Sequence, residues 1–260
     1  MARADGAENR APGFVTHAGY RVEIVPCAKR LRAMLGDQAL FDTQDAIVLR
    51  ETGHIAVYYV PRGAVRMDLL EKSATTSYCP FKGQASYYGI AAGGRTVADA
   101  AWSYENPFDE CAGIAGWLSF YWKKMDRWLE EDEEVFVHAR DPHVRIDILE
   151  SHRPVEVRIG GQTVASTTRA RFLFETGHAT RYYIPREDVR AELLAPSASH
   201  TACPYKGKAS YHHLKLGERT IDDAVWFYPA PLDEVRRIGD YLCFYPEKVD
   251  AILVDGEAIP

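Results

Sequence analysis

The chain has 260 residues, 47% of them apolar and 26% charged, with a formal net charge of −6 from 31 basic and 37 acidic side chains. That length holds one large domain or two of ordinary size, with ample apolar surface to bury. It excludes a disordered chain and a helical membrane span, and the acidic balance speaks against a nucleic-acid partner, which would need a basic stripe.

In chain order, the polar stretch from Met1 to Arg10 lacks the apolar core of a secretory signal, and residues 1–19 are expected to be a disordered segment. The cysteines are Cys27, Cys79, Cys111, Cys203 and Cys243. An odd count without a leader reads as a reduced, cytoplasmic protein. From about residue 20 the chain is two copies of one module, because it matches itself without a gap at an offset of 124. Glu51-Thr-Gly-His54 recurs as Glu175-Thr-Gly-His178, and Tyr58-Tyr-Val-Pro-Arg62 as Tyr182-Tyr-Ile-Pro-Arg186. Cys79-Pro-Phe-Lys-Gly83 recurs as Cys203-Pro-Tyr-Lys-Gly207, and Trp102 with Tyr104 as Trp226 with Tyr228. Of the 76 columns between 51 and 126, 37 are identical. The first module is expected over 20–128, an acidic joint over 129–143, and the second module over 144–260.

Within a module, short alternations outnumber helical stripes. The stretch 158–164 reads as a hairpin about Gly160-Gly161. Residues 171–174, 181–184, 209–214, 224–228 and 241–245 are short, β-prone and rich in aromatics. Only Pro185 to Leu194 suggests a helix, with proline and acids early and Val189 one turn before Leu193. The whole reads as mainly β: two small barrels or sandwiches side by side, related by a pseudo-two-fold axis.

The YY-x-P segment, the Cys-Pro-x-Lys-Gly-x-Ala-x-Tyr box, the Ala-x-Trp-x-Tyr segment and the closing Phe-Tyr strand stand in both halves. Together they resemble the bacterial and fungal family catalogued as domain of unknown function 427, over roughly 20–128 and 144–256. The joint, Trp128 to Glu134 with His138 to Pro142, is similar to that of tandem members. The resemblance implies a small β-barrel of the β-tent kind. A nucleotidyl-transfer label attached to the family finds no phosphate-cradling glycine loop and no close aspartate pair for magnesium in either half.

The box carries the most chemistry. Proline fixes one torsion and glycine permits a sharp bend, so Lys82 and Lys206 are presented at a turn entering a strand. Such a lysine can serve as a base, a Schiff-base nucleophile or an anion anchor, or it can simply pair Glu51 or Glu175. Cys79 and Cys203 are nucleophile candidates with His54 and His178 as bases, or small apolar fillers. Glu51 and Glu175 are acid–base candidates. Tyr59, Tyr183, Tyr87, Tyr211, Trp102 and Trp226, with Tyr104 and Tyr228, suit a ligand pocket or a core equally. Arg140 and His138 in the joint suit a site between modules or a structural salt bridge. No paired cysteines suggest zinc, and although His200, Cys203, His212 and His213 cluster in sequence, consecutive strand residues face opposite ways. No metal and no cofactor are expected.

The sequence therefore predicts a metal-independent enzyme acting on a small molecule, of lyase, isomerase or hydrolase type. It would use the box lysine with nearby Glu, Tyr and Trp, without nucleic-acid or membrane partners. The rival is a non-catalytic tandem module that binds a ligand or a protein.

Overall fold

A computed structural model describes residues 8–259. The chain divides into two compact units, Met1–Asp141 and Pro142–Pro260. The first contains β1 (Val22–Cys27), β2 (Leu31–Leu35), β3 (Gln38–Thr43), β4 (Ala46–Glu51), β5 (Val57–Tyr59), β6 (Leu70–Cys79), β7 (Gly83–Ala92), β8 (Arg95–Ser103), β9 (Leu118–Phe120), β10 (Arg127–Glu130) and β11 (Glu133–Glu134). The second contains β12 (Ile146–Glu150), β13 (Val155–Ile159), β14 (Gln162–Thr167), β15 (Arg171–Glu175), β16 (Arg181–Pro185), β17 (Leu194–Cys203), β18 (Gly207–Leu216), β19 (Arg219–Phe227), β20 (Tyr241–Phe244), β21 (Ala251–Val254) and β22 (Glu257–Ala258). Each strand of the second unit falls at the 124-residue offset from its partner in the first, within a residue or two. The protein is mainly β and a tandem repeat.

In the second unit a seven-stranded antiparallel sheet runs β12-β15-β16-β20-β19-β18-β17, and a four-stranded sheet runs β14-β13-β21-β22. The first unit repeats both orders, its larger sheet being joined between β5 and β9 by a bridge from Val60 to Leu118. The sheets do not close, so the expected barrel is corrected to two open sheets per unit. The end strands of the large sheet, β12 and β17, are separated by five strands and, among the described residues, pair only with their inner neighbours. On the small sheet, Leu31, Ala33 and Leu35 alternate inward, as do Val155, Val157 and Ile159. Each such Leu or Ile, fully buried, contributes about 1.5–3 kcal/mol. The large sheet is covered on both faces. Tyr58 points into the core shared with the small sheet, while its neighbour Tyr59 points into a second core with Leu49, Tyr104, Cys111 and Ile114.

Gly160 and Gly161, both at positive φ, turn β13 into β14 as the hairpin pattern predicts. The helix expected over 185–194 does not form. Two short 3-10 turns, Arg186–Asp188 and Ala191–Leu193, stand there instead. The reason is tertiary: Val189 bridges to Ala165, and the Arg190 N–H donates to the Val164 carbonyl, which pulls the backbone out of any helix between them. The disorder expected over 1–19 is corrected for residues 8–19; residues 1–7 lie outside the described residues. Helix α1 (Pro12–Thr16) packs on the first unit, with the Gly13 N–H on the Pro80 carbonyl at 2.9 Å and Phe14 edge-on to Phe81.

One repeated device was not anticipated. Asp99 and Asp223 sit at φ +48° and +49° beside bulges in the large sheets. Asp99 accepts hydroxyl hydrogen bonds from Ser73 at 2.6 Å and Thr75 at 2.8 Å, and Asp223 from Ser197 at 2.5 Å and Ser199 at 2.7 Å. These bonds, foremost those from Ser73 and Ser197, hold both carboxyls below the ordinary carboxylate range. A depressed folded-state pKa gives stability that is complete above the unfolded value of about 3.9 and is lost as pH falls through the folded value. Replacing both aspartates by asparagine is thus expected to destabilise at pH 6, with the difference from the parent shrinking as pH falls below about 3.9, as read by urea unfolding.

Candidate functional site

The box forms the turn between β6 and β7, and its copy the turn between β17 and β18. Cys79 pairs with Gly83 across the hairpin, and Gly83 takes φ +101°, a conformation that glycine adopts without strain. Gly207 does the same at +98°. The lysine so presented does not enter solvent: Lys82 and Lys206 are each 8% exposed. The Lys82 Nζ donates to Glu51 Oε2 at the end of β4, and the Lys206 Nζ donates to Glu175 Oε2 at 2.6 Å at the end of β15. All four side chains are about one-tenth exposed. The Lys82 ammonium also lies 5.8 Å from the centre of the Tyr104 ring.

Around each pair the aromatic residues are tied to one another. Trp102 Nε1–H donates to the Tyr59 hydroxyl at 3.0 Å, and Trp226 to Tyr183 at 3.2 Å. Tyr59 and Tyr183 are fully buried, and burial pushes both phenols well above their ordinary range. Tyr104 and Tyr228 are raised by burial first and by their box cysteines next. Tyr87 and Tyr211 are engaged elsewhere: their hydroxyls meet Ser77 at 2.8 Å and Thr201 at 2.6 Å across the hairpin.

The remaining candidates separate. His54 and His178 stand exposed in the turns after the glutamates. His138 turns its Nδ1 to the Ala139 carbonyl at 2.8 Å, and Arg140 lines a different cavity with Lys29 and Glu130. His212 stacks on Phe227, whereas His213 Nδ1 accepts the Asp223 N–H, so the two rings do part. Among the described residues no three His, Cys, Asp or Glu side chains gather as a metal cluster.

Two contributors escaped the sequence reading. Tyr20 donates to Glu51 Oε1 at 2.8 Å and stacks on Phe81 at 3.7 Å and 9°. The offset places Val144 opposite it, so the repeat gave no signal. Cys111 lies beneath the box, its thiol on the Phe81 carbonyl at 3.4 Å. Beside Glu51 opens a cavity of about 240 Å³ lined by Arg21, Thr52 and His54, with Arg50 held by Glu23 and Asp141 at its edge.

Thiol chemistry follows from burial. Burial pushes Cys111 up to about 11, Cys243 up to about 12, and raises Cys27. Only Cys79 and Cys203 are partly exposed. Alkylation of the native protein at pH 7.5 is expected to mark these two alone by mass spectrometry; early labelling of Cys243 would contradict it.

A model of a domain of unknown function, DUF427, matches the chain twice, over residues 23–131 and 147–255, and the chain belongs to that family. No curated protein matches the chain.

Proposed function

We propose that this tandem DUF427 protein is a cytoplasmic, metal-independent enzyme acting on a small molecule, of lyase, isomerase or hydrolase type. Proton transfer would take place at Glu51. The observation that carries this reading is the position of Glu51, where a buried lysine pair meets an open cavity holding Arg21 and His54. Arg21, exposed at the cavity, supplies a cation for the carboxylate or carbonyl of a substrate. Lys82 and Tyr20 each occupy one lone-pair position on Glu51. A carboxylate has about four, so others remain to take a substrate proton. Lys82 and Tyr20 thereby act as positioning residues, and His54 is the second proton carrier in reach of the cavity. Net negative charge is in keeping with a small-molecule partner and not with nucleic acid.

A thermal-shift screen of small carbonyl-bearing acids tests this. A ligand at 100 times its dissociation constant adds about 2.7 kcal/mol. The stabilisation should vanish in Arg21→Ala and Glu51→Gln, and turnover of the hit should vanish in Glu51→Gln. A hit that survives both substitutions, or no hit at all on folded protein, overturns the reading. The second reading is a non-catalytic tandem module. It is favoured by the second unit, where Lys206 and Glu175 clamp the box turn to the end of β15 with the same one-tenth exposure.

A further inference from the structure

The first unit holds a further cavity, most of whose lining residues its copy does not repeat. It measures about 270 Å³ and is lined by Trp122, Lys123, Met125, Arg127, Trp128 and Val137, among others. Trp122 and Trp128 stack at 4.3 Å and 9°, giving it a flat apolar wall. Trp128 is 3% exposed, and its Nε1–H has no acceptor among the described residues. A buried donor left unpaired is costly, which makes an acceptor on a ligand favourable there. Lys123 and Arg127 are exposed and have no ion pair among the described residues. Of the acids nearby, Asp126 is tied to Arg95 at 2.5 Å, leaving only Glu134 to oppose two cations. Val137 takes φ +70°, a strained conformation for a β-branched residue, in a turn closed by the His138 N–H on the Phe136 carbonyl.

The repeat acts as an internal control. At the 124-residue offset, Trp122, Lys123, Arg127 and Trp128 become Pro246, Glu247, Ala251 and Ile252. The second unit builds the same strands without the indoles and without the cations, so the fold does not require them. We infer that this cavity binds a flat conjugated acid, with its ring against the tryptophan pair and its carboxylate taken up by the Trp128 N–H, Lys123 and Arg127. The site is separate from the glutamate–lysine pair and does not rest on the function proposed for it.

The test is an NMR titration of the ¹⁵N-labelled full chain with naphthalene-2-carboxylate, following the five indole N–H signals. Trp128→Ile assigns one signal and installs the residue that the copy already accommodates. The Trp128 signal should shift saturably with the probe, and Trp128→Ile should abolish binding. Lys123→Ala with Arg127→Ala should weaken binding about tenfold, and cyclohexanecarboxylate should bind more weakly than the flat acid. Glu51→Gln should leave the titration unchanged. A Trp128 signal that does not move at millimolar probe overturns the inference. So does binding that is indifferent to the two cations, or binding lost in Glu51→Gln.

Discussion

Replacing Lys206 by methionine is expected to destabilise the second unit by about 3–5 kcal/mol, because it strands a carboxylate that is one-tenth exposed. The sequence left two readings of this lysine, a functional group at the turn or a plain partner for Glu175, and only the second implies so large a loss. The ammonium instead sits in the wall between turn and strand. Methionine keeps the volume, so the loss reports charge and not a cavity. Adding Glu175→Gln to Lys206→Met should recover most of it, since the pair together can be replaced at little cost. Lys82→Met should cost less than Lys206→Met, because Tyr20 continues to donate to Glu51. Hydrogen exchange read by mass spectrometry assigns each loss to its unit. Equal losses in the two units would deny Tyr20 its role, and no loss in either would deny the clamp.

The repeat was legible because identical columns mark positions that both units must satisfy. The Tyr59–Trp102 and Tyr183–Trp226 bonds, and the lysine–glutamate pairs, all fall on such columns. Strand identity was legible from aromatic and β-branched runs. Closure was not, because nothing local in β12 or β17 says whether an edge finds a partner across the sheet. The 185–194 segment has the composition of a first helical turn, yet a single bridge to Ala165 outweighs that preference.

Roles set by tertiary geometry, and residues present in one unit alone, were the harder part. Asp99 and Asp223 were in view as identical columns, but their role depends on a left-handed backbone and on hydroxyls some 26 residues upstream. Tyr20, Trp122 and Trp128 have no matching column at all. A search by self-similarity passes over them, although these positions are where the two units differ chemically.

Deleting residues 1–20 is expected to loosen the first unit selectively. Phe81, 8% exposed, lies between Phe14 and Tyr20, and its re-exposure alone is worth about 1.5–3 kcal/mol. The Gly13 and Ala11 N–H groups also give up their bonds to Pro80 and Glu110. Chain entropy regained by the segment offsets part of this, so a net loss of about 2 kcal/mol, roughly thirtyfold faster exchange at the box amides, is expected there, with the second unit unchanged. Tyr20→Phe keeps the stack and removes one donor, at about 1 kcal/mol. The deletion also makes Glu51 resemble Glu175, with lysine as its sole donor from this set. In the shortened chain, Lys82→Met should therefore rise to the cost of Lys206→Met. That non-additivity is the signature of a shared carboxylate. If Lys82→Met costs the same with and without the segment, Tyr20 and Lys82 act independently, and Glu51 is not the joint on which the site turns.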